Sequence, residues 1–300
     1  MKVLCFGSLN IDYTYRVDHF VQKGETLSSE SLQVFSGGKG LNQSIALAKA
    51  GAEVYHAGAI GEDGHFLLEI MKEAGVDTSC VKVLHDVRTG NAIIQNDKEG
   101  DNCILLYGGA NQAITKEQVD EVLARFDAGD YLVLQNEINE LPYIMNQANQ
   151  KGMKIVLNPS PMNEKIAALP MECVTYFLLN EVEAAQVLGC PQIAAEDAMD
   201  LANALGEKFP GSTVVLTVGS AGSIFKNSEK TFKQPSFRVK AVDTTAAGDT
   251  FSGYFIASLI NGLSEEAAME QASKAAAIAV TRPGAAPSIP TPDEVANFNG

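Results

Sequence analysis

A stretch of small residues before a predicted helix indicates an anion-binding site near the end of the chain. Segment 241–253 reads AVDTTAAGDTFSG, and Ala246, Ala247 and Gly248 lie where the helix begins. The first amide groups of a helix have no partner within it, and this end carries roughly half a positive charge. Because the three side chains are small, a phosphate could approach those amides closely. The segment therefore predicts a phosphate site.

An acidic residue, Asp249, lies in the first turn of the same predicted helix. A carboxylate beside a bound phosphate is a poor choice for binding alone, because like charges repel. A role in accepting a proton from a reacting hydroxyl explains it better. The structural alternative is an acid that complements the helix dipole, worth about 0.3–1 kcal/mol. This segment alone leaves both interpretations open.

Glycines are concentrated in segment 36–43, which reads SGGKGLNQ. Backbone without side chains lets a hydroxyl-rich ligand lie against it, and the Asn42 carboxamide can both donate and accept hydrogen bonds. The stretch is not a Walker A loop, because Lys39 is followed by Gly40 rather than by Ser or Thr. It indicates a binding site for a polar small molecule.

Two further turns follow predicted strands. Asn180 and Glu183 have the spacing of a helix capping box, a structural interpretation that the residues alone favour. Residues 217–222 read TVGSAG, and Gly219 and Gly222 suit a tight turn. Without other information, both segments are interpreted as structural.

The composition describes a globular chain and excludes several classes of protein. Its 300 residues are 46% apolar and 20% charged, which rules out disorder and predicts one or two domains. A net charge of −15 argues against binding nucleic acid or anionic membrane. No apolar stretch approaches the roughly 20 residues of a membrane span, and the first residues do not have the pattern of a signal peptide.

The cysteines and histidines predict no metal site. The five cysteines show no C-x-x-C spacing and the four histidines are scattered, so neither a disulfide framework nor structural zinc is expected. Free thiols are typical of a reducing compartment, and a cytoplasmic location is predicted.

The elements that must position the candidate residues alternate along the chain. Short apolar runs predict buried strands, and segments with helical periodicity lie between them. The strands fall at 3–6, 54–60, 131–134, 155–157, 176–179 and 214–218, and the helices at 43–50, 66–74, 117–126, 141–150, 181–188, 195–205, 250–260 and 265–280. This alternation implies a mainly parallel sheet with helices on both faces.

Two stretches interrupt that alternation. Residues 11–35 have no strong helical pattern, and residues 81–107 contain extended runs at 92–95 and 103–107. Together they predict a small antiparallel sheet. Such a sheet is too thin for its own core, so it would cover a cleft as a lid or pair with a second subunit.

Taken together, the two glycine-containing segments resemble the signatures of the ribokinase-like family of sugar kinases. Those signatures are a G-G-K-G-x-N stretch near the start of the chain and a D-T-x-x-A-G-D stretch near its end, here residues 37–42 and 243–249. The likeness extends over essentially the whole chain and is strongest to the branch that phosphorylates ribose. Its other parts are residues 7–12, 24–27, 89–92, 109–111, 135–137 and 279–285.

The resemblance implies a fold and an activity. The fold is a three-layer α/β/α sandwich with a mainly parallel central sheet, in one domain over residues 1–300, into which lid segments are inserted at about 11–35 and 88–110 to form a small β-sheet. The activity is ATP-dependent phosphorylation of the primary hydroxyl of a pentose. D-ribose, giving D-ribose 5-phosphate, is the favoured substrate. Mg²⁺ and K⁺ are the implied cofactors, and the lid suggests a homodimer formed through its strands.

Two alternatives stay open. A sister kinase of the family would act on fructose, another sugar or a nucleoside, and Tyr13, Tyr15 and Phe35 in the lid leave room for a base. A non-catalytic sugar-binding regulator could share the fold, although Asp249 and the anion segment argue against it.

The resemblance also implies roles for individual residues. Asp249 would be the general base, and Ala246, Ala247 and Gly248 would form an anion hole for the transferred phosphoryl group. The sugar would be held by Asp249 together with Asn10, Asp12, Gly38, Lys39, Asn42 and Glu137.

Other residues are implied to bind ATP and the metal ions. Asn180 and Glu183 would orient the phosphates, and Glu183 would hold Mg²⁺ through water. Nucleotide contacts would further involve Thr217, Gly219, Gly222, Gly248 and Ser273, where relatives often carry a larger ring in place of Ser273. A K⁺ site, mostly of backbone carbonyls, is implied at Asp243, Thr245, Ala279, Arg282, Gly284 and Ser288.

Overall fold

The computed structural model describes residues 1–190 and 198–298 of the chain. The strands are β1 (Lys2–Phe6), β2 (Asn10–Arg16), β3 (Ser31–Gly37), β4 (Glu53–Gly61), β5 (Asp77–Leu84), β6 (Gly90–Asn96), β7 (Asn102–Tyr107), β8 (Tyr131–Gln135), β9 (Lys154–Asn158), β10 (Val174–Asn180), β11 (Thr213–Thr217), β12 (Ser223–Lys226) and β13 (Thr231–Gln234). The helices are α1 (Lys39–Lys49), α2 (His65–Glu73), α3 (Lys116–Leu123), α4 (Leu141–Gln150), α5 (Glu181–Leu188), α6 (Ala198–Lys208), α7 (Ala247–Ile260), α8 (Glu265–Ala279) and α9 (Pro292–Ala296). The predicted helix 195–205 starts outside the described ranges, and its described part lies in α6.

The buried apolar runs of the sequence form a central sheet. Within the described ranges it has nine strands, in the order β13-β12-β11-β10-β9-β8-β1-β4-β5. Strands β11 to β5 of that order run parallel, and β12 and β13 are antiparallel additions at one edge. Residues Val3, Leu4, Cys5 and Phe6 of β1 are each 0% exposed. Both faces of the sheet are covered, which is why these strands are continuously apolar.

Three strands of the sheet were not predicted, namely β5, β12 and β13. All three lie at or near an edge, where one face or one side of a strand meets solvent. Strand β5 exposes Asp77 and Ser79, β13 exposes Thr231 and Lys233, and β12 is a buried strand of only four residues. A half-exposed strand carries polar residues, so the continuous apolar run that reveals a central strand is missing.

Alternate side chains of β1 enter two separate cores. Leu4 and Phe6 pack in a cluster with residues of α3, α4, α5 and α6. Val3 and Cys5 point to the opposite face, into a cluster with residues of α1, α2, α7, α8 and α9. The sheet therefore lies between two helical layers, and the predicted α/β/α sandwich is confirmed.

The order of the strands creates a crevice at one edge of the sheet. From β1 the chain passes to β4 and β5 on one side, and it then returns to place β8, β9, β10 and β11 on the other. At such a switch point the loops that follow neighbouring strands diverge and leave an opening. The carboxyl ends of β1 and β8 border that opening.

The small sheet predicted from the irregular stretches is present, but its strand directions differ from the prediction. It has the order β3-β2-β6-β7. Strand β2 is antiparallel to β3, and β6 is antiparallel to β7, as expected. The central pair, β2 and β6, is parallel, so the prediction of an antiparallel sheet is wrong for that pair. Strands β2 and β6 follow β1 and β5, which end at the same edge of the central sheet, and both therefore leave that edge in the same direction.

Exposed apolar side chains are concentrated on the small sheet. All six residues of β7 are exposed, including Leu105 at 67%. Leu32, Val34 and Ile93 on the neighbouring strands are exposed as well.

The description of the chain as one domain with two lid insertions stays a prediction.

Among the described residues, no helix is both long enough and apolar enough to cross a membrane.

A fully buried histidine in the central sheet forms a hydrogen bond to α1. His56 in β4 is 0% exposed, and its two ring nitrogens lie 2.8 Å from the Ser44 Oγ atom and 3.2 Å from the Gly7 carbonyl oxygen. Because a carbonyl can only accept, Nε2 carries the proton and Nδ1 accepts from Ser44. Burial lowers the pKa of His56 to about 4.

The burial of His56 predicts a loss of stability in acid. Between pH 6.5 and 4 the unfolded chain binds a proton at this residue and the folded chain does not, so the free energy of unfolding falls as the pH falls. The contribution of this one residue is about 3 kcal/mol over that range. Urea unfolding of the wild type and of His56→Gln, measured from pH 7 to pH 4.5, should show a shallower pH dependence for the variant. The control is His85→Gln, whose side chain is 82% exposed and which should follow the wild type; equal slopes for all three proteins would contradict the prediction.

Candidate active site

Polar side chains meet where neighbouring parallel strands end. Ser8 and Asn10 follow β1, Glu137 follows β8, and Asn158 and Asn180 are the last residues of β9 and β10. The strands are hydrogen-bonded neighbours, so their carboxyl ends lie side by side. This is the edge at which α/β sheets hold ligands.

A cavity of about 220 Å³ lies over these strand ends. It brings together residues from both glycine-containing segments, because Lys39 and Asp249 both line it. Its other polar lining residues are Asn158, Asn180, Glu183, Thr217, Thr244 and Ser252, and the small residues Ala246, Ala247 and Gly248 line it as well. A larger cleft of about 1070 Å³ adjoins it and shares Asn180, Thr217, Ala247 and Gly248. Two spaces thus meet at the start of α7.

Asp249 is the third residue of α7 and is 6% exposed. Its Oδ2 atom accepts a hydrogen bond from Asn42 Nδ2 at 3.2 Å, and its Oδ1 atom accepts from Gln43 Nε2 at 2.9 Å. Both donors lie in the first turns of α1. The carboxylate of Asp249 is therefore held from two sides by side chains of one helix.

The backbone at the start of α7 presents free amides. Ala246 has a φ of 59°, a left-handed conformation that is strained for alanine. The amide of Thr250 donates to the Ala246 carbonyl at 2.8 Å, so the amides of Gly248 and Asp249 precede that helical hydrogen bond. A Cβ atom on Gly248 would meet no atom within 4 Å, which leaves open space beside those amides. The arrangement suits an anion.

Lys39 supplies a positive charge to the same cavity. The negative charge of Asp249, and to a lesser extent those of Glu137 and Glu183, raises the pKa of Lys39 against the opposing effect of burial. The ammonium group stays protonated. In a chain with a net charge of −15, this residue and the helix amides make the cavity locally attractive to an anion.

Two carboxylates lie on the other side of Lys39. Glu137 accepts hydrogen bonds from the Ser8 hydroxyl and, at 2.9 Å, from the Lys39 amide, and burial raises its pKa. Asp12 lies directly over Gly37, where a Cβ atom would come within 2.0 Å of Asp12 Oδ2. Burial, with the charge of Glu137, raises the pKa of Asp12 to about 6. Gly37 is therefore needed for space.

Asn10 is fixed from behind by a second asparagine. Asn111 Nδ2 donates to Asn10 Oδ1 at 2.7 Å, and Asn111 Oδ1 accepts from the Leu9 amide at 3.0 Å. Gly38 has a φ of 96°, and a Cβ atom there would come within 2.9 Å of the Ser8 carbonyl oxygen. The residues assigned to the sugar thus lie around the loop after β1, with Asn42 and Asp249 at its inner end.

The capping box at the start of α5 is present. Asn180 Oδ1 accepts from the Glu183 amide at 2.9 Å, and Glu183 Oε2 accepts from the Asn180 amide at 3.0 Å. Both residues also line the cavity. Within the described ranges no group of three His, Cys, Asp or Glu side chains could hold a metal ion.

The loops assigned to potassium lie together. Although burial opposes it, hydrogen bonds from the amides of Thr245 and Gly284, each 2.9 Å long, hold the pKa of Asp243 below its usual value. The guanidinium group of Arg282 is paired with the Glu294 carboxylate at 2.6 Å, so only the backbone carbonyl of Arg282 is left as a possible ligand. In the described chain the carbonyls of Thr245, Arg282 and Gly284 accept no hydrogen bond. These oxygens suit a cation.

At two other residues assigned to potassium, oxygen atoms already take part in hydrogen bonds. The carbonyl of Ala279 already accepts from the Arg282 amide at 3.0 Å, and the Ser288 hydroxyl donates to the Ala285 carbonyl at 2.7 Å. Both residues are 0% exposed.

The larger cleft contains the residues assigned to the nucleotide. Thr217, Gly219 and Gly222 line one side, and Ser273 of α8 lines the other. Gly222 has a φ of 99°, and a Cβ atom there would lie 2.2 Å from the Gln234 carbonyl oxygen, so this glycine is required by the turn itself. Ser273 is 8% exposed, and small neighbours in α8 leave the cleft roomy beside it.

Sequence reasoning missed several polar residues of the site. Gln43 and Asn111 are buried and Asn158 is partly buried, and none of the three was assigned a role. Gln43 directly follows Asn42 in the glycine-rich segment, and this position could have indicated that it belongs to the site. Asn111 lies in a stretch that was quoted for the resemblance alone, and Asn158 ends a predicted strand.

Comparison with known proteins agrees with this geometry. A family model described as pfkB family carbohydrate kinase matches residues 1–292. The ribokinase of Haemophilus influenzae is 34% identical, over 97% of this chain and 96% of that protein.

Two solved structures are similar over their whole length. The ribokinase of Cryptococcus neoformans, in complex with ADP, has a TM-score of 0.88 and 31% identity, covering 98% of each chain. The ribokinase of Arabidopsis thaliana, complexed with ribose and ATP, has a TM-score of 0.86 and 27% identity, covering 99% of each chain. With a family match over nearly every residue, the chain belongs to the pfkB family of carbohydrate kinases.

Proposed function

We propose that the protein phosphorylates the primary hydroxyl of D-ribose with ATP and produces D-ribose 5-phosphate. The observation that carries this proposal is the position of Asp249. Its carboxylate, the free amides of α7 and the Lys39 ammonium group line one cavity, between the loop after β1 and the larger cleft. The relatives named as ribokinases, one of them complexed with ribose and ATP, support ribose as the sugar.

The sugar would lie against the loop after β1. Asn10, Asp12, Asn42 and Glu137 offer carboxylate oxygens and carboxamide groups, which suit a ring with several hydroxyls. Asn10 is oriented by Asn111, and Glu137 by Ser8 and the Lys39 amide, so these groups are fixed before the sugar binds. Preorganised groups lose less entropy on binding. Gly38 lets the backbone approach the ligand.

The phosphoryl transfer would take place at the start of α7. Asp249 accepts the proton of the primary hydroxyl, the hydroxyl oxygen forms a bond to the γ-phosphorus, and the bond from that phosphorus to the β-phosphate oxygen breaks. The amides beside Ala246, Ala247 and Gly248 lie where the negative charge of the transferring group develops. Lys39 adds a positive charge to the same space.

ATP would occupy the larger cleft, with its phosphates toward Gly248. Thr217, Gly219, Gly222 and Ser273 line that cleft. Mg²⁺, when bound, neutralises phosphate charge. Glu183 would hold it through water, and Asn180 would keep Glu183 in place through the capping box.

A potassium ion is proposed beside the anion hole. The free carbonyls of Thr245, Arg282 and Gly284, with the charge of Asp243, support this site. Thr245 directly precedes Ala246, so a cation there would act on the strained backbone that presents the amides.

The small sheet is proposed to join two copies of the chain. Its exposed apolar residues would be covered by the same surface of a partner, as in a twofold symmetric interface. We also propose a cytoplasmic location, which the five free thiols support.

Replacement of the base should abolish most of the activity. Asp249→Asn keeps the size of the side chain but cannot accept the proton, so kcat should fall by at least about 100-fold. ADP release measured with ATP, Mg²⁺ and ribose checks this, and thermal melting checks the fold. Asp293→Asn, which removes a first-turn acid of α9, is the matched control and should keep wild-type turnover. Wild-type turnover of Asp249→Asn would exclude the base assignment.

A panel of substrates tests the sugar and the cation. ADP release should be fastest with ribose, compared with deoxyribose, fructose, adenosine and pseudouridine, and should fall when Na⁺ replaces K⁺. Phe35 is paired with Asp12 across the small sheet and is the residue that would contact a nucleobase. Faster ADP release with a nucleoside would therefore contradict ribose as the substrate but would leave the mechanism unchanged. No ADP release with any compound of the panel would favour the sugar-binding regulator.

If the small sheet forms the dimer interface, a charged substitution on it should lower the molecular mass of the protein in solution. Leu105→Asp places a charge in the apolar surface and should convert a dimer to a monomer in sedimentation or light scattering at micromolar concentration. Leu263→Asp changes an exposed leucine outside the small sheet and should leave the dimer intact. A monomeric wild type would contradict this prediction.

A further inference from the structure

Two buried glutamines lie in line behind Asp249. Gln135 ends β8 and Gln43 lies in α1, and each is 1% exposed. Gln135 Nε2 donates to Gln43 Oε1 at 2.6 Å, and Gln43 Nε2 donates to Asp249 Oδ1 at 2.9 Å. We call this arrangement the glutamine chain. The Gln43 carboxamide is occupied by Gln135 on one side and by Asp249 on the other, so neither the sugar nor the phosphate is assigned a contact with it.

The direction of these hydrogen bonds follows from the end groups. An ionised carboxylate can only accept, so the carboxamide of Gln43 must turn its nitrogen to Asp249. Its oxygen then faces Gln135, which must donate in turn. The opposite orientation of either carboxamide would place two acceptors or two donors face to face. The glutamine chain therefore has one self-consistent arrangement, in which the donor group of Gln135 holds Gln43 with its nitrogen toward Asp249.

The hydrogen bond from Gln43 acts on the charge and direction of the Asp249 carboxylate. Donors that bind a carboxylate favour its ionised form, and they do so strongly where water is excluded. Asn42 occupies the other oxygen of Asp249. With both oxygens held, the carboxylate cannot rotate, and its remaining lone pairs stay aimed at the cavity.

Other titratable groups face Asp249 from the surrounding elements. Lys39 of α1 lies in the same cavity, and Glu183 of α5 lines it as well. Glu137 after β8 interacts electrostatically with Asp249 across Lys39. Cys5 of β1 lies behind Gln135, and burial raises the pKa of its thiol to about 11, so it stays neutral. None of these groups replaces the hydrogen bond to Asp249 Oδ1.

We propose that Gln43, held by Gln135, is a positioning residue whose hydrogen bond favours the charged form of the Asp249 carboxylate and aims that carboxylate at the sugar hydroxyl. The inference rests on the proposed function, because it gives meaning to Asp249 as the base. It extends that function to two residues to which no contact with either substrate is assigned.

The test compares pH–rate profiles of kcat. Gln43→Met keeps the length of the side chain and removes the donor. Its kcat at neutral pH should fall about tenfold, the acidic limb of its profile should move up by about one pH unit, and its KM for ribose should stay within about twofold. Gln43→Glu places a like charge against Asp249 and should move the limb further.

Gln135 provides the second variant. Gln135→Met leaves Gln43 free to turn, so the limb should move in the same direction by a smaller amount, although Gln135 does not contact Asp249. The matched control is Gln118→Met, because Gln118 is also 1% exposed and donates to the Gly58 carbonyl at 2.8 Å. Its acidic limb should coincide with that of the wild type.

The outcomes separate this inference from the proposed function. If Asp249→Asn is inactive and the Gln43→Met profile keeps the wild-type acidic limb, Gln43 has no positioning role. A lowered kcat without movement of the limb would likewise overturn the inference and indicate a structural role. If Gln43→Met does not fold, as judged by circular dichroism, Gln135→Met and Gln43→Glu decide the question. Activity in Asp249→Asn would instead reject the base on which the inference rests.

Discussion

The structure of this chain depends on keeping a carboxylate buried at the start of a helix. Asp249 is 6% exposed, and its negative charge is tolerated because two carboxamides, a lysine and the helix amides surround it. The two carboxamides and the lysine belong to α1, so α1 must lie against α7. Gly253 permits this contact, since a Cβ atom there would lie 2.4 Å from the Ala46 Cβ atom. The surroundings of Asp249 thus require the same packing of the two helices that their shared apolar cluster stabilises.

The site has two halves of different charge, one with carboxylates and the other with positively charged or donor groups. On the side of the small sheet, Asp12 and Glu137 are partly desolvated, and the pKa of each is raised. At the start of α7, amides and the Lys39 ammonium group prevail. Hydroxyl donors suit the first half and phosphate oxygens the second. Lys39 lies between the halves, and carboxylates of both halves, Glu137 and Asp249, stabilise its charge.

The sequence predicted the elements whose burial is two-sided and the residues that lie in local patterns. Strands such as β1 and β8 are continuously apolar, and the start of α7 is marked by adjacent small residues, so both could be found from neighbouring positions. The parallel pair in the small sheet could not, because its direction is set by where β1 and β5 end. The roles of Gln43 and Asn111 could not be predicted from neighbouring positions either. Each acts through a partner about a hundred or more positions away, and a polar residue gives no sign of a distant partner.

The parallel pairing of β2 with β6 makes both strands leave the central sheet side by side from one root near the loop after β1. Asn10 and Gly90 are opposite each other at the root of the two strands, and Asn111 binds the root to the loop after β1. At roughly 3.3 Å per residue, Arg16 lies about 20 Å from that root and Asp12 about 7 Å. A rotation of about 10° would therefore carry the tip of the sheet about 3 Å while moving Asp12 by about 1 Å. One rotation of the small sheet would therefore displace its far end about three times as far as Asp12.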